Sequence, residues 1–485
     1  MSSDDSLLDE LQRREQAAEE GGGPSRQARH KRLGRLTARE RIAALVDDGS
    51  FTELGKHVKS RHGAASDRLA ANLHPGDGMV CGLGAVAGRT VAVWANDPTV
   101  LRGAIGRQGA VKLSRLLDLA LEQKAPVLAL VDSDGMRVEE GTDAVQSLGD
   151  IIVRTLRLRD AGVVQLSLVC GLCVGGAAYN AVLTDFVAMV DMQSFMFVTG
   201  GKVSKEVTGE DRELVDLGAP DLHAKVTGSC HAVVADEAAG VALLKRVLTF
   251  LEPVLPSEDA VERETPALEK LIPVSERRAY DQRRVLAELF DAGSVLELSP
   301  AFAPNLLTAF ARLGGRAVAV VASQPMQLAG CLDVNASRKG AAFVRWAGRL
   351  QLPIITLVDT PGYLPGRQQE EEGILPHGAT LLEAYAGVRV PKMSFIFRKS
   401  FGGANVLSFA ADIRLALPMG TIDVMGSEAA LKVVLGPEVS EAQREAWEKA
   451  HHTVWAAAEA GYVDRVVAPK EARRELARVL ERLAR

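Results

Sequence analysis

Two glycine-rich segments hold the residues of this 485-residue chain best suited to chemistry. One reads Val169-Cys170-Gly171-Leu172-Cys173-Val174-Gly175-Gly176-Ala177, the other Arg398-Lys399-Ser400-Phe401-Gly402-Gly403-Ala404. Each follows an apolar run of strand length and opens a helical one. Paired glycines let a backbone approach a ligand closely and adopt angles that other residues avoid. The free N–H groups at a helix start point outward, and the helix dipole there favours negative charge. Such a turn suits a developing oxyanion, for instance a thioester carbonyl on its way to an enolate. A single Gly-Gly-Ala is explained equally well by a tight strand-to-helix connection, whereas two copies point to function. There is no Gly-x-Ser-x-Gly elbow, P-loop lysine motif or His-x-x-x-His pair. The nine histidines are scattered, and His451-His452 reads as a solvated helical face. A catalyst of this kind needs its substrate or cofactor to supply the base.

The two segments are in register. A shift of 227 positions carries Gly88-Arg89 onto Gly315-Arg316, Lys112 onto Lys339, Val131-Asp132 onto Val358-Asp359 and Asp185 onto Asp412. The same shift superposes Gly175-Gly176-Ala177 on Gly402-Gly403-Ala404 without a gap from residue 88 to about 200. The chain therefore reads as a duplicated domain, with related sites facing two different ligands. Residues 1–258 and 259–485 are the expected domains, joined through the proline- and acid-rich stretch Pro253–Pro266.

The elements that must position these loops follow from hydrophobic patterning. Val91–Ala95, Val127–Val131 and Val163–Val169 are short apolar runs, and Ala110–Gln123 is helical in pattern. The second half repeats this with Val318–Ala322, Ile354–Val358 and Ser394–Phe397. Apolar strands alternating with helices predict βαβ units, an α/β fold with its sheets covered on both faces. Upstream, residues 3–20 form a polar amphipathic helix carrying Leu7, Leu8 and Leu11. Thr37 with Glu40 fits a capping box that starts another helix.

Composition excludes several classes. With 47% apolar residues the chain can bury large cores, and a net charge of −5 argues against nucleic-acid binding. Five cysteines without secreted spacing predict a reduced cytoplasm. Cys170-Gly-Leu-Cys173 lacks a second pair to complete a zinc site, so no metal is expected. The polar start Ser2-Ser3-Asp4-Asp5 is unlike a signal or transit peptide, and no apolar run is long enough to span a membrane.

Several segments resemble the carboxyltransferase (β) subunit of biotin-dependent acyl-CoA carboxylases, the propionyl-CoA carboxylase type above all. They include Gly76-Asp77-Gly78, Gly171–Ala177, Phe302-Ala303-Pro304-Asn305, the run Asp359-Thr360-Pro361-Gly362-Tyr363-Leu364-Pro365-Gly366 and Arg398–Ala404. The likeness spans roughly residues 30–470 and implies two tandem crotonase-like domains assembled as a homohexamer. It implies an acyl-CoA thioester in the first half and biotin, borne by a partner biotin carboxylase/carrier (α) subunit, in the second half of a neighbouring subunit. Biotin would bring both the carboxyl group and the base, in keeping with the lack of a side-chain base. The N–H groups of Gly175 and Gly176, with Gly135, would hold the acyl oxygen, and Arg137 and Ala177 would adjoin the substrate. Gly402, Gly403 and Ala404 would hold biotin, with Val406 setting acyl preference. No Ala-Met-Lys-Met attachment motif is present, which places biotin on the partner.

The chain departs from that family pattern at several places. Asp134 stands where the family has glycine, Val174 where it has alanine, and the loop after Ala404 is about four residues shorter. A malonyl-type thioester decarboxylase on the same fold and a non-catalytic assembly subunit are the alternative readings.

Overall fold

The structure, a computed structural model, describes residues 3–60, 75–436 and 438–483; Ser2 of the polar amino-terminal stretch lies outside them. The chain divides into two compact units, Met1–Leu248 and Thr249–Arg485. The expected boundary after residue 258 falls later than this division, because the proline-rich segment pairs with the second unit. Ala317 N donates to Pro253 O at 2.9 Å, and Leu255 N to Gly315 O at 3.0 Å.

In the first unit the sheet runs β1 (Thr52–Glu53), β2 (Met79–Val86), β3 (Arg89–Asn96), β4 (Val127–Ser133), β5 (Gln165–Val174), β6 (Phe186–Val190) and β8 (Ala232–Val234), with β7 (Phe195–Phe197) paired to β5. In the second unit β9 (Leu296–Leu298) to β14 (Ile413–Ala416) repeat the order through β10 (Leu306–Leu313), β11 (Arg316–Ser323), β12 (Ile354–Thr360) and β13 (Lys392–Phe401). There β15 (Thr421–Asp423) pairs with β13 and β16 (Arg465–Val466) closes the edge. From β3 and β11 onward the pairings are parallel. All seven residues of β4 and of β12 are buried, so these strands are covered on both faces, as their unbroken apolar runs predict.

The antiparallel hairpins β2–β3 and β10–β11 were not legible from the apolar runs. Their two-residue turns, Ala87-Gly88 and Gly314-Gly315, have positive φ throughout (49° and 77°, 58° and 78°), the twist that matches paired strands. The 227-residue register holds in the backbone. Helix Arg107–Gln123 matches Val334–Arg349, and the register of β4 on β5 shifts between Val131 and Ser133 just as β12 on β13 shifts between Val358 and Thr360.

Two upstream expectations are met. Helix Ala38–Leu45 starts at a full Thr37/Glu40 capping box, and helix Ser3–Glu20 spans the amphipathic stretch. Among the described residues no helix is long and apolar enough to cross a membrane.

Candidate active site

Both glycine turns sit at the carboxyl ends of central parallel strands, where open α/β sheets present their ligand crevices. In the first unit β5 leads into Gly175, whose φ of 57° and ψ of −117° suit glycine and strain other residues. Helix Gly176–Leu183 follows, and its first turn closes from Tyr179 N to Gly175 O at 3.1 Å. The N–H groups of Gly176, Ala177 and Ala178 precede that bond and have no carbonyl within the helix to meet. A Cβ on Gly176 would lie 2.7 Å from Leu148 Cδ1, so that side chain walls the turn.

This geometry corrects the expected donor set. The N–H of Gly175 is committed to Phe197 O at 3.0 Å. That of Gly135 is committed to Ser133 Oγ at 3.1 Å. The available pair therefore moves one residue along, to Gly176 and Ala177. Gly135 has a different role: its φ is 92°, and a Cβ there would stand 2.8 Å from Val174 O, so only glycine allows the two loops to touch. Arg137 is also relocated. It is 1% exposed and bonds Asp77 Oδ1 at 2.5 Å, Glu140 Oε1 at 2.8 Å and Ala104 O at 3.0 Å, which makes it a buried buckle beneath the loop. Asp134 pairs with Arg102, which neutralises the charge that departs from the family pattern.

In the second unit β13 leads into Gly402, which has the same φ of 57°. A 3-10 turn, Gly402–Asn405, and the short helix Val406–Phe409 follow. In a turn of that kind the N–H groups of Gly402 and Gly403 come before the first i to i−3 bond. The buried Ala404 backs the turn, and Ser400 Oγ bonds Asn405 Oδ1. Beside it opens a cavity of about 720 Å³ whose wall includes Gly402, Gly403, Asn405, Phe409, Ile422 and Tyr462. Val406 does not line it; the side chain is 1% exposed and points into the core, since the first residue of this short helix faces the sheet.

Tyr363, from the Asp359–Gly366 run, approaches the turn from the other side. Its ring lies 3.4 Å from where a Cβ on Gly403 would stand, and its buried hydroxyl has no hydrogen-bond partner among the described residues. Burial pushes that phenol above its ordinary pKa, so it remains a donor. The bicyclic, largely apolar biotin ring with a polar ureido edge fits the cavity, which offers a glycine cradle and an apolar wall. His452 is not solvated as its sequence context predicts. It is 3.2 Å from Asp423 Oδ2, and its side chain is only 11% exposed. His451 instead lines the cavity and packs on Trp447 at 4.5 Å.

Both turns rest on a buried aspartate. Asp132 Oδ1 accepts from Leu172 N at 3.2 Å, and Asp359 Oδ1 from Lys399 N at 3.4 Å. Sequence reasoning matched these two residues but gave them no role. Cys170 and Cys173 lie in the core, and burial pushes the Cys170 thiol to about 12 and that of Cys173 further still. Both are far from a reactive thiolate.

Comparison with known proteins agrees with this architecture. A family model described as the carboxyl transferase domain matches residues 29–485. The propionyl-CoA carboxylase beta chain of Saccharopolyspora erythraea is 39% identical, over 98% of this chain and 93% of its own. The methylmalonyl-CoA decarboxylase subunit alpha of Veillonella parvula is 38% identical, over 96% and 93%. The crystal structure of transcarboxylase 12S, a hexamer with methylmalonyl-coenzyme A bound, superposes with a TM-score of 0.95 at 36% identity, over 100% of this chain and 97% of that one.

Proposed function

The chain belongs to the carboxyl transferase family, and on that premise we propose that it moves a carboxyl group from biotin on a partner subunit to the α-carbon of propionyl-CoA or a somewhat longer acyl-CoA. The observation that carries this reading is the repeated turn. Two glycine turns that open with the same φ of 57° stand at equivalent positions of duplicated sheets, yet one faces Leu148 and the other Tyr363 and a cavity.

In the first unit the N–H groups of Gly176 and Ala177 hold the thioester oxygen as it gains charge, which lowers the barrier to losing the α-proton. In the second unit the N–H of Gly403, at the cavity wall and backed by the Tyr363 ring, would hold the biotin ureido group. When bound, biotin supplies the carboxyl group and the base, so the protein needs no general base of its own. The assembly is a homohexamer, as transcarboxylase 12S is, with the acyl site of one subunit completed by the biotin site of a neighbour. The first unit carries the acyl side and the second the biotin side.

The purified chain, supplied with a carboxylated biotin carrier and a panel of acyl-CoAs, is expected to carboxylate propionyl-CoA faster than acetyl-CoA. The kinship with a methylmalonyl-CoA decarboxylase subunit supports one competing reading, in which the same turns release CO2. Release of CO2 from methylmalonyl-CoA without net carboxylation of any acyl-CoA in the panel would favour that reading instead.

A further inference from the structure

The glycine turn of the second unit lies at the carboxyl ends of its parallel strands. At the opposite, amino ends of β11, β12 and β13 a separate cavity of about 630 Å³ opens within the same unit. β13 is ten residues long, so at roughly 3.3 Å per residue about 30 Å of strand lies between the two. The cavity floor is apolar, with Phe250, Leu352, Val390 and Leu483 beside Pro353 and Pro391. Its backbone polar groups are already used. Pro353 O accepts from Ala319 N at 2.9 Å and Pro391 O from Ile354 N at 2.8 Å, and a proline has no N–H to offer.

Three cations stand over this floor: Arg316 at the start of β11, Arg389 in the loop before β13, and Lys392 at the start of β13. Arg389 is exposed and Arg316 half-buried, and neither guanidinium has an ion-pair or hydrogen-bond partner among the described residues. Lys392 Nζ lies 3.0 Å from Val388 O and 3.4 Å from Val390 O, carbonyl contacts that leave its charge unbalanced. Among the described residues the wall holds one carboxylate, Asp412, whose Oδ2 accepts from Lys392 N at 2.8 Å. Three cations against one carboxylate leave two positive charges in the wall.

The duplication separates what the scaffold requires from what this cavity adds. The shift of 227 takes Asp412 to Asp185, which accepts from Gln165 N at 2.9 Å just as Asp412 accepts from Lys392 N. It takes Arg316 to Arg89 and Gln351, also in the wall, to Lys124. Arg389 and Lys392 correspond instead to Gly162 and Gln165, and the Gln165 side chain turns inward to Thr155 O at 2.8 Å. The aspartate is thus common to both sheets, whereas the cations of the β13 entry belong to the second alone.

We propose that this cavity binds a small organic dianion, a phosphate monoester or dicarboxylate on a hydrocarbon body. Arg316 and Arg389 hold its oxygens, Lys392 adds charge, and the body lies on the proline and leucine floor. Guanidinium groups suit such oxygens through paired, charge-assisted hydrogen bonds. An apolar wall with a few convergent polar groups is the usual make-up of a small-molecule site. Because the glycine turn lies at the far end of β13, an occupant here leaves the biotin side open.

The test is calorimetric titration of the full chain with phenyl phosphate, with benzylsuccinate and with benzyl alcohol, which has the body without the charge. At least one of the two dianions is expected to bind, more weakly as salt is raised, and benzyl alcohol is not. Binding of phenyl phosphate alone identifies a phosphate ligand, and of benzylsuccinate alone a dicarboxylate. Arg389→Ala should weaken the dianion about tenfold, and Arg316→Ala with Arg389→Ala about a hundredfold, as expected for lost hydrogen bonds to charged groups. Saturation with biotin methyl ester should leave the dianion's affinity unchanged. Arg389 is exposed and unpaired, so Arg389→Glu is expected to fold even if the double variant does not, and to abolish binding. The proposal is overturned if neither dianion binds, if the affinity survives in folded Arg389→Glu, or if biotin methyl ester displaces the dianion.

Discussion

Asp132 and Asp359 occupy equivalent places in the two units, each buried beneath its glycine turn and each neutralised by a buried arginine from a different source. In the first unit the partner is Arg41, on helix Ala38–Leu45, which also bonds Glu237 at 2.7 Å and 2.8 Å. In the second it is Arg398, on β13 itself, whose Nε bonds the carboxylate at 2.7 Å and whose Nη1 lies against the carbonyls of Pro273, Ser275 and Arg278. The residue equivalent to Arg398 is Gly171, where a Cβ would come within 2.1 Å of Asp132 Oδ1. Duplication has kept the acceptor that fixes each turn and moved the cation that balances it. In the first unit this ties the turn to the amino-terminal helices; in the second it ties it to the segment 273–278.

Removing either aspartate is the largest way to disturb this comparison. Asp359→Ala strands Arg398 without its carboxylate in the interior, and breaking such a pair costs about 3–5 kcal/mol. Asp132→Ala should cost less, because Arg41 keeps its two bonds to Glu237, and chemical denaturation of both variants reads the two values. If one is silent, its turn is held by something else. Next in size is Gly176→Val, which should reduce turnover about 10²–10³-fold, the loss expected for an oxyanion donor site. A folded variant with full activity would remove that turn from the mechanism.

Val406 sharpens the contrast between wall and core. Val406→Ala should cost about 1–3 kcal/mol of stability as a cavity in the core. The ratio of rates on acetyl-CoA and propionyl-CoA should stay put; a changed ratio with unchanged stability would restore Val406 as a specificity residue.

The smallest effect separates the paired lysines. Lys339 donates to Ser299 O at 2.9 Å and Phe302 O at 2.8 Å, and burial draws its pKa from 10.5 to about 7. Lys112 is lowered for the same reason. A folded-state value below the unfolded one means that the unfolded chain binds more protons between about pH 7 and 10.5, so stability rises with pH across that window. Lys339→Met should flatten the rise by at most about 1.4 kcal/mol per pH unit, measured by urea unfolding at pH 7.5 and 9.5. An identical slope in the variant would show that Lys339 stays charged throughout.

The sequence was most informative where periodicity and register are local properties. The apolar runs of β4 and β12 announced buried parallel strands, Thr37 and Glu40 announced a helix start, and the shift of 227 announced both turns. What it concealed depends on distant partners. No spacing links Arg41 to Asp132 or Tyr363 to Gly403, and only the fold reveals that Phe197 takes the N–H of Gly175. Arg137 and Val406 adjoin the turns in sequence, but the chain folds them beneath the surface. The family likeness named the turns; which N–H groups remain free is decided by the strand beside them.

The account's central claim is that the two equivalent turns hold different ligands. It is tested most directly by titrating propionyl-CoA and biotin methyl ester separately into the wild type, Gly176→Val and Gly403→Val. The account predicts that Gly176→Val loses propionyl-CoA and keeps the biotin ester, while Gly403→Val does the reverse. Loss of both ligands in one folded variant with neither lost in the other would contradict it.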